Sequence, residues 1–386
     1  KRNNMVRIAV VAGEASGDHL GARLMAAIVD QAGCAVEFIG VGGDEMTEAG
    51  LKSIFPMSEI AVMGPLAILA RLPGLLRRIR QTAQAMVDAR PDIVVLVDCP
   101  EFSHRVARQV RARLATMPVI DYVAPSVWAW RPGRARAMRG YIDTVMALLP
   151  FEPDVYQRLG GPMCVYVGHS TIEQPPPSPG ALAQMGALRS GDTAMLLVMP
   201  GSRLSEINRL MVPFGEAVEL LQATGRRFDV VIPTLPHLQT KITEMTADWQ
   251  VPPQIISQPD LRRAAMHVAD AALVASGTAT LELALAKTPM VVGYRTDWIV
   301  ASGRRLLMAP SIVLANLVHG ANAIPELFQR QCSGPNLARA IGPLMQTGPA
   351  RAAQLAAFDD IIGKTMDTAR TPSARAAEIV LSAVKR

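Results

Sequence analysis

The feature that most limits what this chain can become is a recurring unit. A short continuous apolar run stops at a small-residue loop, and a helix-forming stretch follows at once. Met5–Ala12, Val36–Val41, Ile93–Val97, Val119–Val123, Val145–Leu149 and Val165–Val167 form one series, and Ala194–Met199, Asp229–Ile232, 271–275 and Met290–Gly293 a second. Uninterrupted apolar runs of this length read as parallel strands buried on both faces, and their alternation with helices predicts doubly wound α/β sheets. At 386 residues the chain is too long for one ordinary core, so two such Rossmann-like domains are expected. Between the two series, 174–191 carries Pro175, Pro176, Pro177 and Pro179 with little periodicity and reads as a linker. The division expected is 1–170, linker 171–192 and 193–364, with the helix at about 365–386 returning to complete the first domain.

Ligands of open parallel sheets bind off the carboxyl ends of the strands. The clearest such end is Ala271–Glu282, where the apolar run meets Ser276-Gly277-Thr278 and a helix follows. The helix N-terminus offers unpaired N–H groups and suits a phosphate, with Glu282 one turn on to accept from a ribose diol. The alternative is that Ser276 caps the helix and Glu282 is solvated. Pro200-Gly201-Ser202-Arg203 repeats the arrangement and adds a guanidinium fork suited to diphosphate oxygens.

In the first series, Gly13-Glu14-Ala15-Ser16-Gly17-Asp18 turns a strand into a helix beginning near Asp18. It does not match G-x-G-x-x-G, and Glu14 sits where a pyrophosphate would, so the loop lines a cleft rather than cradling a dinucleotide. His19 reads as a surface residue more readily than as a base. Asp98, directly after Ile93–Val97, is placed for proton chemistry on a hydroxyl, or else to cap the next helix. The loop after Val119–Val123 holds Ser126, Trp128, Trp130 and Arg131, which line an acceptor pocket or close off a helix. The stretch 60–80 is densely apolar, broken by Pro65 and Pro73, and edged with Arg77 and Arg78. It reads as a membrane-interface segment or as a core helix with a solvated basic end.

Composition narrows the class. Half the residues are hydrophobic, aromatics are 4%, and the formal charge is +6 with pI near 9.4, which admits anionic substrates or membranes while giving little to stack on nucleic acid. The four cysteines are scattered, with no zinc or disulfide pattern, in keeping with a reducing compartment. Val6–Ala12 is too short for a signal-peptide core, and no stretch has the roughly 20 uncharged residues of a membrane span. A cytoplasmic protein is expected.

Taken together, the motifs resemble the lipid A disaccharide synthase family of bacterial glycosyltransferases. The matching stretches are Gly13–Asp18, Ala61–Gly64, Asp98-x-Pro100, Tyr122–Arg131, Leu149–Glu152, Val167–His169, Pro200–Arg203, Ala275–Ala279, Lys287 with Pro289–Arg295, and Asn316-Leu317. The resemblance implies a glycosyltransferase-B architecture, two domains facing across a cleft, and inverting chemistry without cofactor or metal. UDP-2,3-diacylglucosamine would be the donor, 2,3-diacylglucosamine 1-phosphate the acceptor, and UDP the leaving group in lipid A synthesis. Gly201, Ser202, Arg203, Ser276, Gly277, Thr278, Ala279, Glu282 and Asn316 would hold UDP. Asp98 would be the base, and Glu14, Ser16, Asp18, Ser126, Trp128, Trp130 and Arg131 would stand on the acceptor side. Met63, Leu66, Leu69, Leu72, Arg77 and Arg78 would meet the anionic face of the inner membrane. No nucleic acid is expected as a partner, and a homodimer is a further assembly to consider. The rivals are a 2-epimerase or cell-wall glycosyltransferase of the same fold, or a non-catalytic nucleotide-sugar-binding membrane adaptor.

Overall fold

The computed structural model describes residues 5–60, 65–296, 309–366 and 369–384, apart from the side chains of 65–71. The chain divides into two compact units, Lys1–Glu173 with Thr368–Arg386, and Gln174–Asp367. The segment 174–191 therefore goes with the second unit rather than standing as a bare linker. Its prolines start a helix instead of preventing one. Pro179 occupies the first turn of α7 (Pro179–Gly186), where its missing N–H costs nothing, and Ser178 caps that helix by accepting from Ala181 N.

In the first unit β1 (Met5–Ala12), β2 (Ala35–Val41), β3 (Lys52–Ser53), β4 (Ile93–Val97), β5 (Val119–Tyr122), β6 (Thr144–Ala147) and β7 (Met163–Tyr166) form one sheet, paired in parallel in the order β3-β2-β1-β4-β5-β6-β7. All five residues of β4 are fully buried, each worth about 1.5–3 kcal/mol, which is why a bare apolar run settles in the centre. One face is covered by α3 (Pro65–Ala89) and α4 (Pro100–Arg113). On the other, α1 (Ala15–Ala32) packs with the C-terminal helix Pro372–Val384, whose Ala376, Ala377 and Val380 are fully buried beside Leu24 and Ile28.

The second unit repeats the plan with β8 (Ala194–Met199), β9 (Phe228–Pro233), β10 (Gln254–Ile256), β11 (Ala271–Ala275), β12 (Met290–Tyr294) and β13 (Glu326–Phe328) in the order β10-β9-β8-β11-β12-β13, all parallel. Each sheet has one switch point, between β1 and β4 and between β8 and β11, where successive crossovers part to opposite sides. Sites are expected there.

Three expectations change. Helix α1 opens at Ala15, ahead of Asp18. The chain does not break at Pro73, which lies inside α3, while Pro65 opens that helix. The edge strands β3, β10 and β13 are two or three residues long and carry polar groups, so they leave no apolar run to read.

Candidate functional site

At the first switch point the ends of β1 and β4 bring Ser16 to Asp98, with Ser16 Oγ donating to Asp98 Oδ2 at 3.2 Å. Cys99 N donates to the other carboxylate oxygen at 2.8 Å. Asp98 and Cys99 both adopt left-handed backbone, φ +57° and +50°. Two consecutive non-glycine residues in that region cost on the order of 1–3 kcal/mol each, and such strain gathers at functional sites. Gly13 is what lets the two loops meet, because a Cβ there would lie 2.5 Å from Cys99 Sγ. Burial, with Glu14 and Asp98 adding to it, pushes the Cys99 thiol up to about 11, so it stays protonated at neutral pH.

The neighbouring candidates differ in what they are free to do. Asp18 is buried and accepts from Gly43 N at 2.7 Å, Glu45 N at 3.1 Å and Met46 N at 3.1 Å, so its carboxylate is spent on holding the turn after β2. Glu14 is exposed and makes no capping bond to α1. His19 pairs with Glu45 at 2.7 Å on the surface. Ser126 is exposed and heads a turn, its carbonyl accepting from Ala129 N. Trp128 stands edge-to-face on Phe151 and donates Nε1–H to Glu152 at 3.1 Å. Trp130 is 47% exposed and carries the Arg131 guanidinium 4.1 Å above its ring.

Glu152, which the sequence reading placed only within a motif, anchors this loop. Its carboxyl is 3% exposed and also accepts from Leu149 N at 3.0 Å. Burial raises it from the ordinary 4.5 to about 7, outweighing the Trp128 and Leu149 hydrogen bonds that pull the other way. Below about 4.5 the group is neutral folded or unfolded. Between about 4.5 and 7 only the folded state holds the proton, so stability falls as pH rises through that window. Comparing urea midpoints of wild type and Glu152→Gln at pH 4.5 and 8 should show the variant without this loss, on the order of 3 kcal/mol.

At the second switch point a cavity of about 300 Å³ opens between the loops after β8 and β11. Gly201, Ser202 and Arg203 line one side, Ser276, Gly277, Thr278 and Ala279 another, and Glu282 reaches in from the helix Ala279–Leu285. Ser276 does not cap that helix, where Thr278 holds the cap position. Instead its Oγ donates to Ile312 O at 2.6 Å and ties the loop to the segment beyond β12. Burial raises the Glu282 carboxyl, with Arg262 and then Gln174 opposing.

Glu206, Thr234 and Arg262 complete the cavity and escape a strand-by-strand reading, since they come from three different connections. Glu206 accepts from Ser202 N at 3.2 Å and Arg203 N at 3.3 Å, and Arg203 Nη1 donates to it at 3.2 Å. This packing demands glycine at 201, which has φ +108° and where a Cβ would sit 2.3 Å from Glu206 Oε2. Thr234 is 4% exposed, and its hydroxyl has no partner among the described residues, leaving a donor and acceptor on the cavity wall.

Asn316 is not on this wall. It is 2% exposed, and its amide is bonded to Ile324 N and O at 2.9 Å and to Glu326 at 3.2 Å. Glu326 in turn accepts from Ile312 N, whose residue receives the Ser276 hydroxyl. Asn316 thus supports the Ser276 loop at one remove. Of the expected membrane contacts, Met63 and the side chains of Leu66 and Leu69 lie outside the described residues. Leu72 is half-buried and Arg77 exposed, whereas Arg78 turns inward to Glu59 and over the Phe55 ring at 4.6 Å. Among the described residues no helix is long and apolar enough to cross a membrane.

Comparison with known proteins bears on the family and the fold. The family model for lipid-A-disaccharide synthetase matches residues 8–380. The lipid-A-disaccharide synthase of Nitrobacter winogradskyi is 48% identical over 98% of this chain and 96% of its own length. That of Rhodopseudomonas palustris strain BisB18 is also 48% identical, over 97% and 95%. Among solved structures, the calicheamicin glycosyltransferase CalG4 superposes with a TM-score of 0.60 at 18% identity, covering 100% of this chain and 99% of that one, which is a likeness of glycosyltransferase-B fold. With its two parallel-sheet units and its matching motifs along nearly the whole length, the chain belongs to the lipid-A-disaccharide synthase family of glycosyltransferases.

Proposed function

We propose that the chain transfers 2,3-diacylglucosamine from its UDP derivative to the 6-hydroxyl of 2,3-diacylglucosamine 1-phosphate, with inversion to a β-1,6 linkage and release of UDP. The observation that carries the reading is the division of equipment. A strained, Ser16-held carboxylate stands at one switch point, and a cavity built from Arg203, Ser276–Ala279 and Glu282 stands at the other.

The acceptor oxygen attacks the anomeric carbon as the bond to the diphosphate oxygen breaks, and UDP departs with the electron pair. Asp98 takes the hydroxyl proton. Inversion in a single displacement needs no protein nucleophile, which parallels inverting glycoside hydrolysis with a sugar hydroxyl in place of water. Negative charge grows on the leaving diphosphate. Arg203 and the N–H groups of the Gly277–Ala279 turn offset it. Glu282 accepts from the ribose hydroxyls, and Asn316 keeps the Ser276 loop in place through Glu326. The donor and acceptor are acylated, so the enzyme works against the cytoplasmic face of the inner membrane.

The test is UDP release from the acylated donor, comparing acylated with deacylated acceptor, in buffer with and without EDTA. No UDP release would leave a nucleotide-sugar-binding adaptor, and release without disaccharide would point to the epimerase rival. Two smaller predictions accompany it. Ribose binding needs the ionised Glu282 carboxylate, and burial raises its pKa. UDP affinity measured by calorimetry should therefore weaken on acidification sooner than for an ordinary carboxylate, and Glu282→Gln should bind about tenfold more weakly at neutral pH and lose that dependence. On the exposed side of α3, Leu76 is 39% exposed beside Leu72 and Arg77. Leu72→Ser with Leu76→Ser should release the protein from anionic vesicles, each side chain being worth about 1.5–3 kcal/mol. Undiminished flotation would make this stretch of helix ordinary packing.

A further inference from the structure

A second cavity, of about 360 Å³, lies between α4 and the short helix Gly133–Met138. Four guanidiniums line it, from Arg105, Arg108, Arg131 and Arg134, against one carboxylate, Glu101. The wall therefore carries 4 − 1 = +3, counting His104 as neutral. Glu101 is shared three ways. Arg134 lies 3.1 Å from it, but Arg131 and Arg105 only approach to 3.8 and 3.9 Å, beyond hydrogen-bond length. Exposed pairs of that kind hold little energy, so these donors are available to a better anion.

Arg108 is fixed in advance. Its Nη2 donates to Tyr141 Oη at 3.1 Å, and its guanidinium lies 4.6 Å above the Tyr141 ring. Tyr141 is braced from beneath by His104, 3.3 Å away, and His104 by Asp121 at 2.9 Å, all three being buried. A buried polar chain under one arginine, with three more arginines around the opening, is a preorganised set of planar donors.

We propose that this pocket binds a phosphate monoester. Such a group brings close to two negative charges and three strong acceptor oxygens, which matches several guanidiniums that now compete for a single carboxylate. Its occupant is the phosphate of the sugar acceptor, an assignment that rests on the function proposed above. The pocket begins at Pro100, two residues past Asp98, in the first turn of α4, whose cap position is held by Cys99.

The experiment uses the full chain, the double variant Arg108→Gln with Arg134→Gln, the single variant Arg105→Gln, whose side chain is half exposed, and Arg113→Gln as a charge control on the same helix outside the cavity. Binding of glucosamine 1-phosphate, followed by NMR with glucosamine as the phosphate-free comparison, should weaken about tenfold or more in the double variant and less in Arg105→Gln. Glucosamine should bind none of them measurably. The acceptor KM should rise by a similar factor, with kcat and donor KM within about twofold, and Arg113→Gln should leave all of these as they are. If acceptor KM holds but flotation with phosphatidic acid vesicles falls relative to phosphatidylcholine vesicles, the phosphate monoester is a lipid headgroup and the pocket assignment stands. Variants that bind, turn over and float like wild type overturn it. A wild type that binds glucosamine 1-phosphate yet releases no UDP would refute the proposed reaction while leaving the pocket intact.

Discussion

Asp98→Asn should fold as wild type does, bind UDP with affinity unchanged within about twofold, and lose turnover by about 10²–10⁴. The substitution is nearly isosteric. Asn Oδ1 can still accept from Cys99 N, and asparagine tolerates the left-handed backbone at φ +57° better than most residues, so the loop should keep its shape. What disappears is the lone pair basic enough to take a hydroxyl proton. UDP binding is spared because the cavity at Gly201–Arg203 and Ser276–Glu282 draws on residues of the other unit only. Ser16→Ala gives a graded companion. Its hydroxyl holds one carboxylate oxygen at 3.2 Å, so its loss should lower kcat by about tenfold with acceptor KM little changed. Near-wild-type turnover of Asp98→Asn in a UDP-release assay would remove Asp98 from the base role.

That Asp98 stands out as a candidate in the sequence follows from its position. It is the first polar residue after a fully buried strand, and in a doubly wound sheet that position faces the crevice. The same reasoning located Ser276–Thr278 and Gly201–Arg203, because β8 and β11 are also long apolar runs at the middle of their sheet. It could not anticipate what arrives from elsewhere. Glu206 reaches back one helical turn onto the loop it follows, and Thr234 comes from the end of β9. Arg262 comes from the helix Pro259–Val268. Asp18 looks like a cleft residue until Gly43, 25 positions on, donates its N–H to it. Polar side chains in short motifs are ambiguous in sequence because their partners are set by tertiary contacts, whereas an apolar run has one way to be satisfied. The edge strands escaped for the complementary reason. Half-exposed segments such as Gln254–Ile256 gain little from burial and so keep no pattern.

Arg203→Ala should weaken UDP binding by about ten- to a hundredfold and lower turnover by a further 10²–10³, the second effect arising because the guanidinium meets charge that develops as the diphosphate leaves. The structure shows how the arginine is placed. Its side chain is 60% exposed, and its partner is Glu206 three residues on, at 3.2 Å. Glu206 also accepts the N–H groups of Ser202 and Arg203, so one carboxylate now occupies the donors that a diphosphate would use. The arginine end of this pair lies in solvent while Glu206 is only 15% exposed and stays held by the Ser202 and Arg203 N–H groups, so the guanidinium itself can turn to a doubly charged ligand at small cost. Two consequences separate this account from a purely structural one. Arg203→Ala should leave the thermal midpoint nearly unchanged, since the pair contributes little to folding. Arg203→Lys should recover part of the affinity but little of the turnover, because an ammonium supplies charge without the planar fork that spans two diphosphate oxygens. Unchanged UDP affinity for Arg203→Ala by calorimetry would take the leaving-group role away from this loop and leave it to the Gly277–Ala279 turn.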